Sequence, residues 1–198
     1  MKSYKSYMNE KEITPSKEPN TMSFWHGGDL GHSYSDSMTY KKGRYEFGPG
    51  LYLTTHYDTA KKYAKGSRKL YMIVISKGND LGNSFLPFEE VKNFVNTWVI
   101  GSKKKLILDR INKYNKDGKI SGNILNNIII NEEAIKPTNM DQLRKFYVSN
   151  DIDYLIDSNT FGWNEKVMVL FNTKKIVSKT QIDPKDNITM FDLPTEFN

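Results

Sequence analysis

The chain of 198 residues contains no cysteine and only three histidines. Without cysteine it can form no disulfide, no thiolate metal site and no cysteine nucleophile. A zinc site of three histidines would need His26, His32 and His56 together, and their spacing contains no HExxH. We therefore expect a function that uses no metal ion.

Long apolar runs are also absent. No stretch approaches the roughly 18 consecutive apolar residues that a membrane-spanning helix needs. Residues 1–21 lack the apolar segment of a secretory signal. These absences predict a cytoplasmic protein with no membrane partner.

Several motifs of common enzyme classes are missing as well. The sequence contains neither the phosphate loop GxxxxGK[ST] nor the esterase elbow GxSxG. Gly48 and Gly50 lack the third glycine of a dinucleotide-binding fingerprint. No RNA-recognition or helix-turn-helix signature is present. Nucleoside triphosphatases, serine esterases and Rossmann enzymes are therefore disfavoured.

Positive charge is in excess, with 29 Lys and Arg residues against 23 Asp and Glu residues and a net charge of +6. Such a balance favours acidic partners or polyanions. The lysines are spread along the chain, and the one triple, at 103–105, is more typical of a solvated face than of a polyanion contact. A basic nucleic-acid-binding protein stays open as an alternative.

The length predicts one domain. Residues 1–21 read as a polar N-terminal lead-in, and residues 22–198 as a single domain. Apolar residues recur at helical spacing over much of 84–136, which predicts a helical insert, although 124–129 fits a helix or a strand. Strands on both sides of the insert predict an α+β fold. The predicted strands are 22–26, 51–55, 70–76, 154–156 and 166–171; a helix is predicted to start near Ala60, with Asp58 or Thr59 as its cap, and another to span 140–147.

Two segments place a polar side chain beside a predicted strand. In FWHGG (24–28), His26 precedes two glycines, which allow a ligand to approach the backbone while the ring offers its nitrogens. In NEKVMVLF (164–171), Glu165 precedes an apolar strand, a rigid element that would hold its carboxylate. Taken singly, a structural histidine and a solvated glutamate are the common alternatives.

A third segment, FGPGLYLTT (47–55), contains Tyr52, and Tyr63 follows eleven positions later on the predicted helix. A strand, a turn and a helix can bring two rings face to face around one planar cation. Each ring face would then contribute about 0.5–2 kcal/mol of cation–π attraction. The alternative is a pair of core tyrosines with hydrogen-bonded hydroxyls.

Together the three segments resemble the His–Tyr–Glu ADP-ribosyltransferases, the group of diphtheria toxin and the poly-ADP-ribose polymerases. FGPGLYLTT is similar to the strand-and-turn signature of that family, and NEKVMVLF to its glutamate strand. LRKFYVSNDIDYLIDSN is similar to the helix and strand that often precede that glutamate. The resemblance covers roughly 22–76 and 140–180. It implies a split mixed β-sheet, with 84–136 as a family-specific insert.

The resemblance implies NAD as co-substrate and a role for each residue. His26 would bond a ribose hydroxyl, the backbone of Gly27 would hold the nicotinamide amide, and Tyr52 and Tyr63 would bracket the nicotinamide ring. Glu165 would be catalytic, together with His26 and Tyr52. The implied activity is mono-ADP-ribosyl transfer to a macromolecular acceptor, protein first and nucleic acid second, in a toxin or effector. NAD hydrolysis, or a non-catalytic module that binds NAD or a partner, are the alternatives.

The chain departs from the family at two positions. Ala60 stands where many polymerase-type members have a serine three residues before the second tyrosine. Trp163 stands where arginine-modifying relatives have Glu or Gln two residues before the catalytic glutamate, which disfavours that branch. Glu165 is preferred over the other glutamates because none of them opens an apolar strand after a loop. Those competitors are Glu89, Glu90, Glu132, Glu133 and Glu196.

The chemistry suits these residue types. Nicotinamide in NAD is already a cationic leaving group, so cleavage of its bond to ribose needs no general acid. The developing oxocarbenium ion needs a nearby anion, which a carboxylate supplies as it does in glycosidases. The same carboxylate could orient or deprotonate the incoming nucleophile. The acceptor would be recognised by residues 29–46 or by the insert.

Overall fold

The computed structural model of the chain describes residues 14–30, 47–66, 69–157, 165–183 and 192–198. Strands and helices are interspersed along these ranges. The strands are β1 (Thr21–Gly27), β2 (Leu51–Thr54), β3 (Leu70–Ser76), β4 (Phe85–Pro87), β5 (Lys119–Ser121), β6 (Tyr154–Asp157), β7 (Val167–Leu170) and β8 (Ile176–Ile182). The helices are α1 (Tyr57–Ala64), α2 (Phe88–Trp98), α3 (Gly101–Lys113), α4 (Gly122–Asn131) and α5 (Met140–Ser149). The predicted α+β class is confirmed.

Six strands form one sheet in the order β6-β7-β2-β1-β3-β8. Each neighbouring pair in it is antiparallel. The prediction of a mixed sheet is therefore wrong for the described strands. The physical reason is the position of β1: β2 and β3 run in the same direction and are linked through α1, but β1 lies between them and opposes both.

The sheet is nearly divided between β1 and β2. β1 aligns with β3 from Thr21–Ser76 to Gly27–Leu70, whereas β1 and β2 share only the residue pair Trp25–Thr54. Two three-stranded halves result, β6-β7-β2 and β1-β3-β8. Backbone groups of β1 and β2 beyond that pair need other partners, because an unpaired buried carbonyl is costly.

Helix α1 packs closely on β1 and β3. Ala60 and Ala64 are buried there, and Trp25 meets Tyr57 edge to face with ring centroids 5.3 Å apart. Gly27 permits the close approach, because a Cβ on it would lie 1.7 Å from the carbonyl oxygen of Ala60. The start of α1 is thereby fixed directly after the end of β2.

The predicted insert, 84–136, is mainly helical, and its ambiguous segment 124–129 lies within α4. One apolar core joins the helices α2, α3, α4 and α5 with the two-stranded sheet β4–β5. That core continues onto the sheet through Leu155, Val169 and Phe171. The insert therefore packs on the half of the sheet that contains β2, β6 and β7.

Some boundaries differ from the prediction. Helix α1 begins at Tyr57, not near Ala60, and its N-cap is His56, whose side chain makes no capping bond. Burial of Tyr57 against Trp25 outweighs the capping preference of Asp58 or Thr59. The two-stranded sheet β4–β5 and strand β8 were not predicted. Most of β8 is exposed at the sheet edge, where no apolar pattern marks it.

Residues 1–13 of the predicted lead-in and most of the predicted acceptor loop, 31–46, lie outside the described residues. Across the described ranges no helix combines the length and the apolar character needed to cross a membrane.

Candidate functional site

His26 lies where β1 and β2 separate. Its Nδ1 is 2.8 Å from the carbonyl oxygen of Tyr52. Since a carbonyl only accepts, Nδ1 carries the hydrogen, and in the neutral ring Nε2 keeps a lone pair. Burial lowers the pKa of His26 below its ordinary value of 6.5, and the bond to Tyr52 raises it by less. A neutral ring with Nε2 as an acceptor is therefore favoured at neutral pH.

The glycine after this strand leaves one edge of the histidine ring open. Gly28 has a φ of 144°, and a Cβ on it would lie 3.2 Å from Nε2 of His26. A side chain here would be strained and would crowd that nitrogen. Gly27 lies opposite Leu70 in the sheet and packs against α1, and its role toward a nicotinamide amide stays a prediction.

Tyr52 is half-buried on β2, and its hydroxyl is held by the turn that precedes the strand. The hydroxyl donates to the carbonyl of Gly48 at 2.9 Å and accepts from the amide of Phe47 at 3.1 Å. The ring lies 6.5 Å from the Phe47 ring, centroid to centroid. The orientation of Tyr52 is therefore set by residues four and five positions earlier.

Tyr63 lies on α1, and 72% of it is exposed. It makes no hydrogen bond or ring contact with any residue in the described ranges, so it does not touch Tyr52. An aromatic ring this exposed adds little to the core. A slot between the rings of Tyr52 and Tyr63 therefore stays a prediction, and the Tyr63 ring is exposed to solvent. Ala60, which stands where many members of the resembled family have serine, is buried against Gly27.

Glu165 is 6% exposed and lies two residues before β7. The hydroxyl of Thr54, the last residue of β2, donates to its Oε1 at 2.6 Å. Nδ1 of His56 lies 3.5 Å from Oε2. The backbone beside it is fixed too, because the amide of Lys166 donates to the hydroxyl of Thr55 at 2.9 Å. The carboxylate is thus held in one position by residues that end β2.

Burial separates Glu165 from its competitors. Of the glutamates compared above, it is the only buried one; Glu132 is half-buried and paired with Arg110, and the rest are exposed. Carboxylates are seldom buried without a partner that requires them there. This contrast supports the choice of Glu165 on physical grounds.

Strand β2 joins the predicted residues. His26 reaches the backbone of Tyr52, and Glu165 reaches Thr54, two positions along the same strand. Two residues of a strand span about 7 Å. His26 and Glu165 share no hydrogen bond with each other, and the structure connects them through β2.

Sequence reasoning missed Thr54 and His56. They lie two and four positions after Tyr52, in the TTH end of the FGPGLYLTTH run, and the two-residue strand period places Thr54 on the same side as Tyr52. Their partner Glu165 is 111 positions away from Thr54. Only the register of β2 against β7, in which Thr54 faces Val167, brings them together.

A groove elsewhere on the molecule offers a second cluster of basic side chains. It lies between α5 and residues 172–174 and includes Arg144, Lys145 and Lys174. Asp141 neutralises two of these charges, since it pairs with Arg144 at 2.7 Å and with Lys145 at 3.0 Å. The groove is thus a weak candidate for an anion site. No group of three or more His, Asp or Glu side chains in the described ranges is arranged to hold a metal ion.

A search for relatives finds no matching protein-family model, no matching curated protein and no matching solved structure. The function is therefore inferred from the site itself and from the resemblance of its motifs.

Proposed function

We propose that the protein is an NAD-dependent ADP-ribosyltransferase, which moves one ADP-ribose unit from NAD to a macromolecular acceptor and releases nicotinamide. One observation carries the proposal: β2 holds a neutral histidine at Tyr52 and a buried carboxylate at Thr54. These are the two groups that ribose recognition and stabilisation of an oxocarbenium ion require, and the residues of β2 that hold them are about 7 Å apart along the strand.

Glu165 supplies the negative charge. As the C1′–N bond breaks, its electron pair leaves with nicotinamide, and positive charge develops on the ribose. A carboxylate that is already in place stabilises this charge without reorganisation, which is the main source of catalysis in such sites. Thr54 keeps Oε1 fixed, and His56 covers the side of Oε2.

His26 and the tyrosines bind the dinucleotide. Nε2 of His26 accepts a hydrogen bond from a ribose hydroxyl, since its lone pair is unprotonated and Gly28 leaves that side open. Tyr52 offers a ring of fixed orientation, and Tyr63 offers an exposed ring that can cover the nicotinamide from the other side. The backbone of Gly27 holds the nicotinamide amide.

The acceptor completes the reaction. A lone pair of its nucleophilic oxygen or nitrogen forms the new bond to C1′, and the proton that it loses passes to Glu165 or to water. A protein acceptor is the first expectation. A nucleic acid is the second, which the net charge of +6 favours.

The test is nicotinamide release from NAD by the purified protein, beside Glu165→Gln and with or without cell extract. We expect release that needs extract and that is lost in Glu165→Gln. Glu89→Gln is the matched control, because it makes the same change at an exposed glutamate on α2. It should release nicotinamide at the rate of the original protein.

Other results identify the alternatives. Equal release without extract, in which water is the acceptor, would make the protein an NAD glycohydrolase. NAD binding without release would make it a binding module. Failure to bind NAD, together with nucleic-acid binding that weakens steeply with salt, would replace the proposal with a nucleic-acid-binding protein.

A further inference from the structure

The helical insert reaches the candidate site through one buried amide. Asn126 on α4 is 1% exposed, and it lies among the buried Leu125, Ile128 and Ile129 of that helix. Burying an amide costs free energy unless its polar atoms are bonded. Both are bonded here: Nδ2 donates to the carbonyl of Phe47 at 3.1 Å, and Oδ1 accepts from the hydroxyl of Tyr147 at 3.0 Å.

The Phe47–Gly48 turn lies between Asn126 and Tyr52. On one side the Phe47 carbonyl accepts from Asn126. On the other side the Phe47 amide donates to the Tyr52 hydroxyl, which in turn donates to the Gly48 carbonyl. Gly48 has a φ of 111°, and a Cβ on it would lie 2.9 Å from Oδ1 of Asn126. The amide thus sits directly against the backbone that holds Tyr52.

Tyr147 fixes the amide in turn. Its side chain is fully buried on α5, its ring contacts Phe171 at a centroid distance of 4.9 Å, and burial raises the pKa of its hydroxyl. The hydroxyl therefore stays protonated and donates to Asn126. Because it donates to Oδ1, the amide nitrogen is the group that faces Phe47.

We propose that Asn126 is a positioning residue, through which the insert and α5 hold the turn at 47–48 and thereby the ring of Tyr52 in the orientation that binds nicotinamide. This rests on the proposed function. It gives the insert a role in substrate affinity, whereas the carboxylate at the end of β2 has its own supports in Thr54 and His56.

The first arm of the test measures the kinetics of nicotinamide release. Asn126→Leu removes both bonds at similar volume, and we expect KM for NAD to rise about five- to tenfold, the size of one lost hydrogen bond, with kcat little changed. Tyr147→Phe should shift KM in the same direction by less. In a Tyr52→Phe background, Asn126→Leu should add nothing, because the shared link is already broken.

Two controls separate positioning from general loss of stability. Asn127→Leu makes the same change at the exposed neighbour on α4 and should leave KM unchanged. Val95 is fully buried in the insert core. Val95→Ala opens a cavity there without removing a bond to the turn, and it should lower the free energy of unfolding without changing KM. A rise in KM for Val95→Ala equal to that of Asn126→Leu would overturn the inference, and so would no rise in Asn126→Leu.

The second arm needs no NAD. The Phe47 amide donates to Tyr52, so its hydrogen exchange reports whether the turn is held. Exchange should quicken in Asn126→Leu and not in Asn127→Leu. If this is seen in a protein that does not use NAD, the positioning link stands and the proposed function fails. If NAD is used and exchange is equal in both variants, the positioning link fails.

Discussion

Two carboxylates are buried to the same extent at opposite ends of the strand pair β6–β7, and their surroundings differ. Asp153 and Glu165 are each 6% exposed. Asp153 precedes β6, and Glu165 precedes β7, which runs antiparallel to it. Equal burial means a similar desolvation cost, so the difference lies in the groups that compensate for it.

Asp153 is surrounded by permanent donors. It accepts from the Asn79 amide at 2.9 Å and from the Asn172 side chain at 2.8 Å, and Lys175 lies 3.4 Å from Oδ2. These donors come from two separate segments, one at Asn79 and one at 172–175, which the carboxylate ties together. Its negative charge is therefore compensated by groups that hold the fold together.

Glu165 has a different set of partners. Its carboxylate is bonded by one hydroxyl and approached by one imidazole, and no lysine or arginine in the described ranges pairs with it. A buried anion without a permanent cation can stabilise a transient one. These surroundings favour a structural role for Asp153 and, under the proposed function, a chemical role for Glu165.

The largest expected effect is on the rate in Glu165→Gln. Gln keeps the shape and an acceptor for Thr54 but removes the charge. Nicotinamide release should fall by about 10²–10³-fold, as when one preorganised electrostatic group is lost. The free energy of unfolding should be equal or higher, because a buried charge has been removed. Urea unfolding beside the release assay measures both, and a large loss of stability would make Glu165 a structural residue.

The reverse is expected for Asp153→Ala. It leaves the Asn79 amide and the Asn172 side chain without their acceptor, and Lys175 without its partner. The free energy of unfolding should fall by about 2–3 kcal/mol. The kcat per folded molecule should be unchanged, which active-site titration against the folded fraction would show. A loss of kcat equal to that of Glu165→Gln would remove the distinction between the two carboxylates.

A smaller effect is expected from the hydroxyl that holds Glu165. Thr54→Val keeps the shape and removes the bond of 2.6 Å, so release should fall about tenfold, and stability by about 1–2 kcal/mol. Thr55→Val is the matched control. Its hydroxyl is also buried, but it accepts from the backbone amide of Lys166 rather than bonding the carboxylate, so Thr55→Val should cost similar stability and lower the rate by much less. Equal rates in the two variants would contradict the role of Thr54.

The fold was predictable where local pattern and burial agree. LYMIVIS is apolar throughout and forms β3 with the predicted bounds, Leu70–Ser76, since both of its faces are covered. Strand β8 has no such pattern, because its middle lies exposed at the sheet edge. Helix α1 starts early because of the contact between Tyr57 and Trp25, which are 32 positions apart in the chain. Packing between distant residues is not written in local propensity.

The candidate site was predictable in its residue types and not in its connections. His26, Tyr52 and Glu165 are recognisable from short motifs, because each motif requires a particular side chain beside a glycine turn or a strand. The bonds to Thr54 and Asn126 depend on strand register and on the packing of the insert. Neither has a sequence period that reveals it.

The smallest expected effect is the pH dependence of stability through His26. Burial lowers the pKa of its ring below 6.5, so in acid the unfolded chain binds this proton first. The stabilising contribution is therefore complete above 6.5 and declines as the pH falls below it, by at most about 1.4 kcal/mol per pH unit. This decline ends once the pH has fallen below the folded-state pKa of His26.

His26→Gln isolates this contribution, because an amide can still donate to the Tyr52 carbonyl but does not titrate. The half-buried Asp80, whose carboxyl pKa is raised by burial, titrates in both proteins and cancels in the comparison. The difference in unfolding free energy between the two proteins should shrink as the pH falls below 6.5. A difference that is constant with pH would mean that the ring is protonated as readily in the fold as outside it. Nε2 would then gain a proton progressively below about pH 6.5, and its bond to a ribose hydroxyl would weaken in the same range.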